Sequence, residues 1–482
     1  MNAVPPKKAK IEAQQSLYAD RVRVYPKSVD GPVRRIKWAI LCFCLGVYYI
    51  LPWLRWHRGP GQPSQALLLD IVNRRFYMFG AEFWPQDIYL LTGLLILSAV
   101  SLFLVTSMFG RVWCGYACPQ TVWTDLFMLV ERWIEGDRNA RIKLDHGPMS
   151  LDKFARKAAK HLVWLGIAFW TGGAWIMYYI DAPTLVVKFW TGRESFGVYG
   201  FIGMFTATTY VLAGWAREQV CTYMCPWPRF QAAMLDEQSL IVTYQDQRGE
   251  PRGHGKRPDE FMGDCVDCGV CVAVCPTGID IRDGVQLECI NCGLCVDGCD
   301  SVMEKLGMKS RLIGWDTLAD QQLHRLGQAA EKPHYLRPRT IIYTAALAVA
   351  FGAMMVGFFA RPTLAVEAQH DRAPLFVMTR DGGIRNAYTL KLTNRLEPTE
   401  FSLNVEDLPG AMMSVSESGV APAPDLTLDG PGDEDTAYRV LIHVLNPQLN
   451  DGSRKFTFVL KNLSTGKIAH YQSVFLGPGY QE

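Results

Sequence analysis

Five long apolar stretches alternate with polar segments along the first 360 residues of the chain. They cover residues 37–56, 88–108, 162–180, 196–216 and 340–360. A helix needs roughly 20 residues to cross a bilayer, and tryptophan and tyrosine gather near the ends of these stretches, as they do at membrane interfaces. Buried helices of a large soluble protein are the alternative, but a run such as 88–108 contains no charged residue. The pattern therefore predicts a polytopic α-helical membrane protein with about five spans.

Beyond residue 360 the pattern changes to alternation of apolar and polar positions, which is typical of half-buried strands. The alternation is clear at 388–392 and 401–405, and further β-rich runs lie at 438–445, 456–460 and 468–476. Clusters of glycine, proline and aspartate separate these runs. Several short strands with this spacing predict a β-sandwich of roughly 110 residues. No cluster of catalytic residue types stands out in it, so we expect an interaction domain.

Lysine and arginine predict the orientation in the membrane. Nine of them precede or begin the first span and nine more lie in 109–160, whereas 57–87 holds three and 181–195 holds two. Because cytoplasmic loops carry the excess of positive charge, the N-terminus, 109–160 and 217–339 are expected in the cytoplasm. Five spans then place the C-terminal β-domain outside.

Eight of the 14 cysteines lie between Cys265 and Cys299 and read C-x2-C-x2-C-x3-C-P, 13 residues, then C-x2-C-x2-C-x3-C. This is the spacing with which bacterial-type ferredoxins hold two [4Fe–4S] clusters. Zinc sites use pairs with a long spacer rather than triplets, and disulfides do not suit a cytoplasmic module. The spacing therefore predicts two cubane clusters within 260–305.

In such modules three cysteines of each half bind one cluster and the fourth reaches the other cluster. One predicted ligand set is Cys265, Cys268, Cys271 and Cys299. The other predicted set is Cys289, Cys292, Cys295 and Cys275. Pro276 follows the fourth cysteine of the first half, but Asp300 stands where the second half would have proline. That departure removes no ligand.

A second cysteine motif occurs twice, shortly after the second and fourth apolar stretches. Both copies read C-x-Y-x-C-P, with cysteines at 114 and 118 and at 221 and 225. If the segments are helical, a spacing of four places both sulfurs of a pair on one face. Two pairs at the same membrane surface could form a four-thiolate site or a redox-active disulfide site. Thiolates favour Cu(I), and iron–sulfur or zinc binding stays open; buried structural cysteines are the alternative.

Composition and the lack of nucleotide-binding motifs also bear on which partners and electron donors to expect. The formal net charge of +2 and the lack of a basic domain give no reason to expect a nucleic-acid partner. The sequence contains no dinucleotide fingerprint after a strand and no phosphate loop. Electrons for the clusters are therefore expected from an outside donor or from a quinol.

These patterns divide the chain into consecutive regions. We expect a cytoplasmic N-terminal arm, a four-helix membrane region with the cysteine-pair motifs, a cytoplasmic ferredoxin domain, a fifth span and an extracytoplasmic β-sandwich. The predicted bounds are 1–36, 37–216, 217–339, 340–360 and 361–482.

The order of these parts resembles the cytochrome c oxidase accessory proteins of the FixG/CcoG type over nearly the whole chain. The resemblance implies an immunoglobulin-like tail, a bacterial inner-membrane location, and a role with copper chaperones or assembly factors of cbb-type oxidases. It also implies reduction of Cu(II) to Cu(I), and so a cupric reductase. The candidate copper or redox residues are then Cys114, Cys118, Cys221 and Cys225.

Two other hypotheses remain. The spans with cysteine pairs also resemble quinol-oxidising membrane subunits, so the chain could be a transmembrane electron conduit for another redox enzyme. A non-redox copper-binding assembly scaffold is the third. The β-domain favours assembly, because a bare conduit has no evident need for a docking domain.

Overall fold

The computed structural model separates into two compact units, Met1–Met354 and Met355–Glu482, and the divide falls within the last long helix. The residues described are 23–58, 62–253, 262–329, 334–395, 398–416, 421–431, 434–445, 447–449 and 452–479. Most of the predicted N-terminal arm, residues 1–22, lies outside the described residues.

The first unit is mainly helical. Its helices are α1 Pro32–Ile50, α2 Ile88–Phe109, α3 Pro119–Glu135, α4 Arg138–His146, α5 Leu151–Ile176, α6 Ala182–Trp190, α7 Phe196–Thr209, α8 Trp227–Met234, α9 Asp246–Gly249, α10 Val270–Val274, α11 Leu294–Lys305 and α12 Leu318–Arg325; α13, Pro338–Phe359, leads into the second unit. Strands β1 Leu67–Asp70, β2 Arg75–Met78 and β3 Ala81–Phe83 form an antiparallel sheet between α1 and α2. Strands β4 Ile241–Tyr244 and β5 Ile313–Asp316 pair across the ferredoxin segment.

Within the described residues, four helices are long and apolar enough to cross a membrane: Pro32–Trp53, Pro85–Phe109, Phe196–Ala216 and Pro338–Phe359. They correspond to the first, second, fourth and fifth predicted spans. The third predicted span, 162–180, lies mostly in α5, which begins at Leu151 and carries Lys160 and His161 just before its apolar part. The presence of membrane-length helices is thus confirmed, and the count of five stays a prediction.

Serine side chains cap the starts of two helices. The first N–H groups of a helix have no partner inside the helix, so a side-chain oxygen at its start can accept a hydrogen bond from one of them. The side chain of Ser150 accepts a hydrogen bond from the Lys153 amide at the start of α5. The side chain of Ser195 does the same for the Val198 amide at the start of α7. These caps fix where the two helices begin, and α5 then packs along α7.

A buried charge cluster joins α3, α4 and α5 to the end of the α7 span. The Glu131 carboxylate contacts Arg141 at 2.8 Å, Arg217 at 2.6 Å and Lys160 at 3.5 Å. Burial alone would raise the pKa of Glu131, but the neighbouring cations, led by Arg217, outweigh it and lower the pKa to about 2. A polar cluster of this kind is stable only while each charge keeps its partner.

Replacing Glu131 with glutamine should destabilise the first unit, because it leaves buried cations without their carboxylate. Breaking a buried ion pair from one side costs about 3–5 kcal/mol. Because folding lowers the pKa of Glu131, its carboxylate contributes to the free energy of unfolding at pH values above its ordinary pKa of 4.5. This contribution is lost as the pH falls toward about 2. Thermal unfolding of the detergent-solubilised protein, followed by tryptophan fluorescence, measures the effect.

The matched control for this prediction is Asp152→Asn. Asp152 pairs with Arg156 one helical turn away, and both side chains are largely exposed. Such pairs contribute only about 0.3–0.5 kcal/mol. Equal melting temperatures for the two variants would contradict the importance of the cluster.

The ferredoxin segment is fastened to the start of the first span. The Asp297 carboxylate, in α11, accepts hydrogen bonds from the amides of Val33 at 3.2 Å and Arg34 at 2.7 Å. Arg34 in turn donates two hydrogen bonds to Asp125 on α3. A carboxylate at a helix N-terminus satisfies open N–H groups and complements the helix dipole. The iron–sulfur module is therefore tied to helices of the membrane region.

The second unit is a β-sandwich. Its strands are β6 Leu364–His370, β7 Val377–Met378, β8 Ile384–Asn394, β9 Thr399–Glu406, β10 Ala411–Val415, β11 Leu426–Gly430, β12 Glu434–Val444, β13 Ser453–Asn462 and β14 Ile468–Leu476. In the described residues they form one sheet in the order β10-β12-β8-β6, with β7 beside β8, and a second sheet in the order β11-β9-β13-β14.

The core of the sandwich consists of the alternating apolar residues that the sequence placed on strands. Tyr388, Phe456 and Phe458 are fully buried and contact one another edge to face. The Tyr388 hydroxyl donates to the Val474 carbonyl, so this buried polar group has a partner. The predicted strands at 388–392, 401–405, 438–445, 456–460 and 468–476 correspond to β8, β9, β12, β13 and β14.

Candidate functional site

The two halves of the ferredoxin segment have the same local backbone conformation. In each half the residue before the second cysteine has a positive φ, 49° at Asp267 and 57° at Asn291. The glycine after that cysteine also lies in the left-handed region, with φ 65° at Gly269 and 71° at Gly293. Glycine adopts this conformation without strain. A short helix, α10 or α11, then begins directly at that glycine.

One cavity is lined by Cys265, Cys268, Cys271 and Cys299, together with hydrophobic residues and Arg282. These four are the first predicted ligand set. Three of them come from the loop before α10 and from α10 itself, whereas Cys299 comes from α11. The structure thus places the fourth cysteine of the second half with the three of the first.

The other four cysteines form a second group. The thiols of Cys275, Cys289, Cys292 and Cys295 lie within electrostatic reach of one another. The Asn291 amide donates to the Cys289 sulfur at 3.4 Å. Hydrogen bonds to sulfur and restricted solvent are features of protein sites for iron–sulfur clusters. Two groups of four thiols around compact, glycine-containing loops therefore fit two cubane clusters.

The two copies of the C-x-Y-x-C-P motif have the same backbone conformation. The first cysteine of each copy lies in a single π-helical turn, Trp113–Ala117 or Val220–Met224. The second cysteine, Cys118 or Cys225, is extended, and the next helix begins just after it, α3 at Pro119 and α8 at Trp227. The motif is thus a π turn followed by an extended residue rather than an α-helical face. Single π turns occur often at functional sites.

The first copy lies directly against the second half of the ferredoxin segment. A side chain on Gly115 would meet the Ile290 carbonyl oxygen at 2.8 Å and the Cys292 Cα at 3.0 Å. The Tyr116 hydroxyl donates to the Cys292 carbonyl at 3.1 Å and is buried. The equivalent Tyr223 of the second copy is 71% exposed. Only the first copy therefore uses its tyrosine to dock on the ferredoxin loop.

The two copies converge on one site. The Cys114 thiol lies within electrostatic reach of Cys118, Cys221 and Cys225. Burial, reinforced by the neighbouring thiols, raises the pKa of Cys114 to about 12, and burial also raises the pKa of Cys221 to about 12. The Cys114 thiol donates to the Gln231 side-chain oxygen at 3.0 Å. We call these four residues the four-cysteine site.

Within the described residues no three histidine, cysteine, aspartate or glutamate side chains lie close enough to hold a single metal ion. This applies to the ferredoxin cysteines as well as to the four-cysteine site. A cubane spreads its four thiolates over several iron atoms, whereas a single ion such as zinc holds each sulfur at about 2.3 Å.

Two residues that sequence analysis did not single out hold the second ferredoxin loop in place. The Arg111 guanidinium donates to the carbonyls of Cys289 at 3.1 Å and Pro228 at 2.9 Å. It also lies within electrostatic reach of the Cys114 thiol. The Asn291 side chain accepts from the Val242 amide and donates to the Phe109 carbonyl at the end of α2. A lone arginine or asparagine carries no sequence signal for such a role, because the role depends on tertiary contacts.

Three family models match separate parts of the chain. The family model for a 4Fe-4S dicluster domain matches residues 216–318. A second model, for a 4Fe-4S binding domain, matches residues 91–137, where Cys114 and Cys118 are the only cysteines. A third, for the Ig-like fold at the C-terminal of FixG, matches residues 354–478.

Two curated proteins are similar along almost their whole length. "Nitrogen fixation protein FixG" of Rhizobium meliloti is 45% identical over 96% of this chain and 94% of its own. "Protein RdxB" of Cereibacter sphaeroides is 46% identical over 96% of this chain and 98% of its own. Among solved structures, a FixG-related protein from Vibrio parahaemolyticus is 19% identical over 24% of this chain and 99% of its own, with a TM-score of 0.21.

Proposed function

Since this membrane iron–sulfur protein belongs to the FixG family, we propose that its electron transfer reduces Cu(II) to Cu(I) for assembly of a cbb-type cytochrome c oxidase. The family places the chain among proteins of iron–sulfur electron transfer. Copper as substrate and the oxidase as final recipient are the finer parts of the proposal. The partners are a copper chaperone or oxidase assembly factors.

The observation that carries the proposal is the contact between the four-cysteine site and the second ferredoxin loop. Gly115 and Tyr116, which lie between Cys114 and Cys118, rest on the backbone of Cys292. An electron therefore has a short path through packed protein from one group of thiols to the other. Sulfur ligands select Cu(I) over harder ions, so the same cysteines are suited to receive and hold the reduced ion.

The chemistry is a one-electron step. The [4Fe–4S] clusters expected on the eight ferredoxin cysteines would supply single electrons. Each Cu(II) ion takes up one electron and becomes Cu(I), and no proton is required for that transfer. The ion is received at the four-cysteine site and is bound there by no more than two thiols at a time, because no three of them lie close enough to share one ion. Tyr116 and Arg111 hold the second ferredoxin loop against this site. The ion then leaves to a chaperone with similar thiol or thioether ligands.

The distribution of lysine and arginine supports a bacterial inner-membrane topology with the ferredoxin domain in the cytoplasm and the Ig-like domain in the periplasm. In that topology the four-cysteine site follows the cytoplasmic ends of two spans, so copper is reduced near the cytoplasmic face. The Ig-like domain then provides a docking surface on the other side.

A second candidate has an observation of its own. The model for a 4Fe-4S binding domain covers Cys114 and Cys118 and no ferredoxin cysteine. This match favours a further cluster at the four-cysteine site, and an added cluster would suit a quinol-linked electron conduit for another redox enzyme. A non-redox scaffold that only binds copper is the remaining alternative.

An anaerobic experiment tests the proposal. The purified protein is reduced with dithionite, freed of excess reductant and mixed with Cu(II) beside a Cu(I)-specific chelator. We expect one Cu(I) per electron released, together with return of the absorbance of the oxidised clusters. Reduced protein that ignores Cu(II) but is oxidised by a quinone analogue would favour the conduit. Copper that binds without any change in the clusters would favour the scaffold.

A further inference from the structure

A cavity of about 350 Å³ opens at the start of the apolar part of α5, beside the π-helical end of the span Phe196–Ala216. Its walls include His161, Trp164 and Trp215, with Lys160, Arg217 and Glu218 around them. In the proposed topology this is the cytoplasmic surface of the membrane. Its size falls within the range of pockets that bind small organic molecules.

The charges in the cavity wall are largely neutralised by their own partners. Lys160 contacts Glu135 at 3.0 Å, and Arg217 contacts Glu131 at 2.6 Å. Lys157, which also lines the cavity, contacts both Glu135 and Asp145. A phosphate would have to compete with these buried carboxylates. The wall therefore favours an uncharged ligand with aromatic faces over a nucleotide.

His161 gives the cavity a polar group between aromatic rings. Its ring stacks on Trp215, with an interplanar angle of 16°, and meets Trp164 edge to face. Its Nδ1 shares a hydrogen bond with the Tyr210 hydroxyl at 2.9 Å, so Nε2 is the ring nitrogen left for a ligand. Burial lowers the pKa of His161, with Lys160 and Lys157 acting in the same direction and Glu131 and Glu135 opposing them. A neutral imidazole is able to accept a proton.

An apolar groove of about 430 Å³ runs between α5 and α7. Tyr210 lines this groove and shares a hydrogen bond with His161 in the wall of the cavity. The groove is also lined by Leu165, Phe169, Phe189, Ile202, Gly203 and Ala207, among others. The α7 residues belong to a candidate membrane span. The polar cavity and the apolar groove are linked through the Tyr210–His161 hydrogen bond. Together they match a molecule that has an aromatic head and a long hydrocarbon tail.

The cavity also adjoins the four-cysteine site. Glu218 lies within electrostatic reach of the Cys221 thiol. Gln120, two residues after Cys118, donates to the carbonyls of Leu212 at 2.8 Å and Arg217 at 3.2 Å. A redox-active head in the cavity is therefore next to the thiols through which electrons would leave.

From this arrangement we propose that the cavity binds the head of an isoprenoid hydroquinone and the groove binds its tail, so that quinol from the membrane is the electron donor. The inference rests on the proposed electron-transfer function and names its source of electrons. One hydroquinone loses two electrons and two protons and becomes quinone. The electrons pass singly to two oxidised one-electron centres held by the chain's cysteines. One proton goes to the His161 imidazole and the other to water at the cavity mouth.

The test distinguishes binding of the head from binding of the tail by comparing two quinols in proteoliposomes, tail-less duroquinol and a long-chain ubiquinol. Anaerobic reduction of the clusters is the quantity measured. In Gly203→Phe we expect KM for the long-chain quinol to rise about tenfold, since tail contacts are lost, with no change for duroquinol. The side chain enters open space, because nothing lies within 4 Å of a Cβ at Gly203. Gly200→Phe is the matched control, since Gly200 is also on α7 with open space around it but outside the groove.

His161→Gln tests the head site. Loss of a proton acceptor should slow reduction by either quinol about 100-fold, while dithionite still reduces the clusters fully. If neither quinol reduces a wild-type protein whose clusters respond to dithionite, the proposal is wrong. Equal effects of Gly203→Phe and Gly200→Phe would also overturn it. Copper reduction is measured with dithionite as donor, so failure here is distinguishable from failure of the proposed function.

Discussion

Cys114→Ser/Cys118→Ser is expected to abolish reduction of Cu(II) while the two ferredoxin clusters stay intact. Serine keeps the size of the side chain but replaces a soft sulfur with a hard hydroxyl, which is a poor ligand for Cu(I). Neither residue belongs to the two groups of ferredoxin cysteines, so the [4Fe–4S] signals should be retained. Chelator-trapped Cu(I), measured beside electron paramagnetic resonance of the reduced protein, checks both parts.

Cys42→Ser provides the matched control, because Cys42 is an exposed cysteine of α1 outside all three groups. It should reduce copper like the wild type. Normal turnover in the double variant would mean that the motif is structural. Iron content adds a further distinction, since loss of the iron of one cubane from the double variant would show that the four-cysteine site holds a cluster rather than copper.

The spacing of the cysteines was enough to predict the iron–sulfur module, because ligand spacing is a local property of the chain. It was also enough to find the motif that contains Cys114 and its copy at Cys221. It was not enough to show that the copies converge, or that Tyr116 docks on Cys292 while Tyr223 is exposed. Those contacts join residues more than 100 positions apart and depend on how the helices pack.

The apolar and alternating patterns predicted the classes of structure better than their details. The prediction of membrane-length helices is confirmed by four such helices among the described residues. The prediction of an immunoglobulin-like sandwich is confirmed by the family match over 354–478. Strands such as β6 and β11 were missed. Their burial alternates as in the other strands, but each lies at the edge of a sheet, and β11 has only five residues. Arg111 and Glu131 were missed because the partners that make a buried charge stable are not visible in sequence.

Cys299→Ser is expected to remove or convert the cluster of the first ferredoxin half and to leave the other one. The reason is the exchange of the fourth ligand between halves. Cys299 lies on α11, yet it lines the cavity formed by Cys265, Cys268 and Cys271. If ligation followed the order of the chain, Cys299 would instead serve the loop that contains Cys289, Cys292 and Cys295.

The reciprocal variant makes this test decisive. Cys275→Ser should affect the cluster held by Cys289, Cys292 and Cys295, since Cys275 lies within reach of those thiols. Electron paramagnetic resonance distinguishes the two clusters only if their signals are assigned, and the docking of Tyr116 on Cys292 offers a way. Tyr116→Phe removes one hydrogen bond beside the second cluster and should shift only its signal. Loss of that same signal in Cys299→Ser would refute the exchanged ligation and reverse the assignment of the cluster nearest the four-cysteine site.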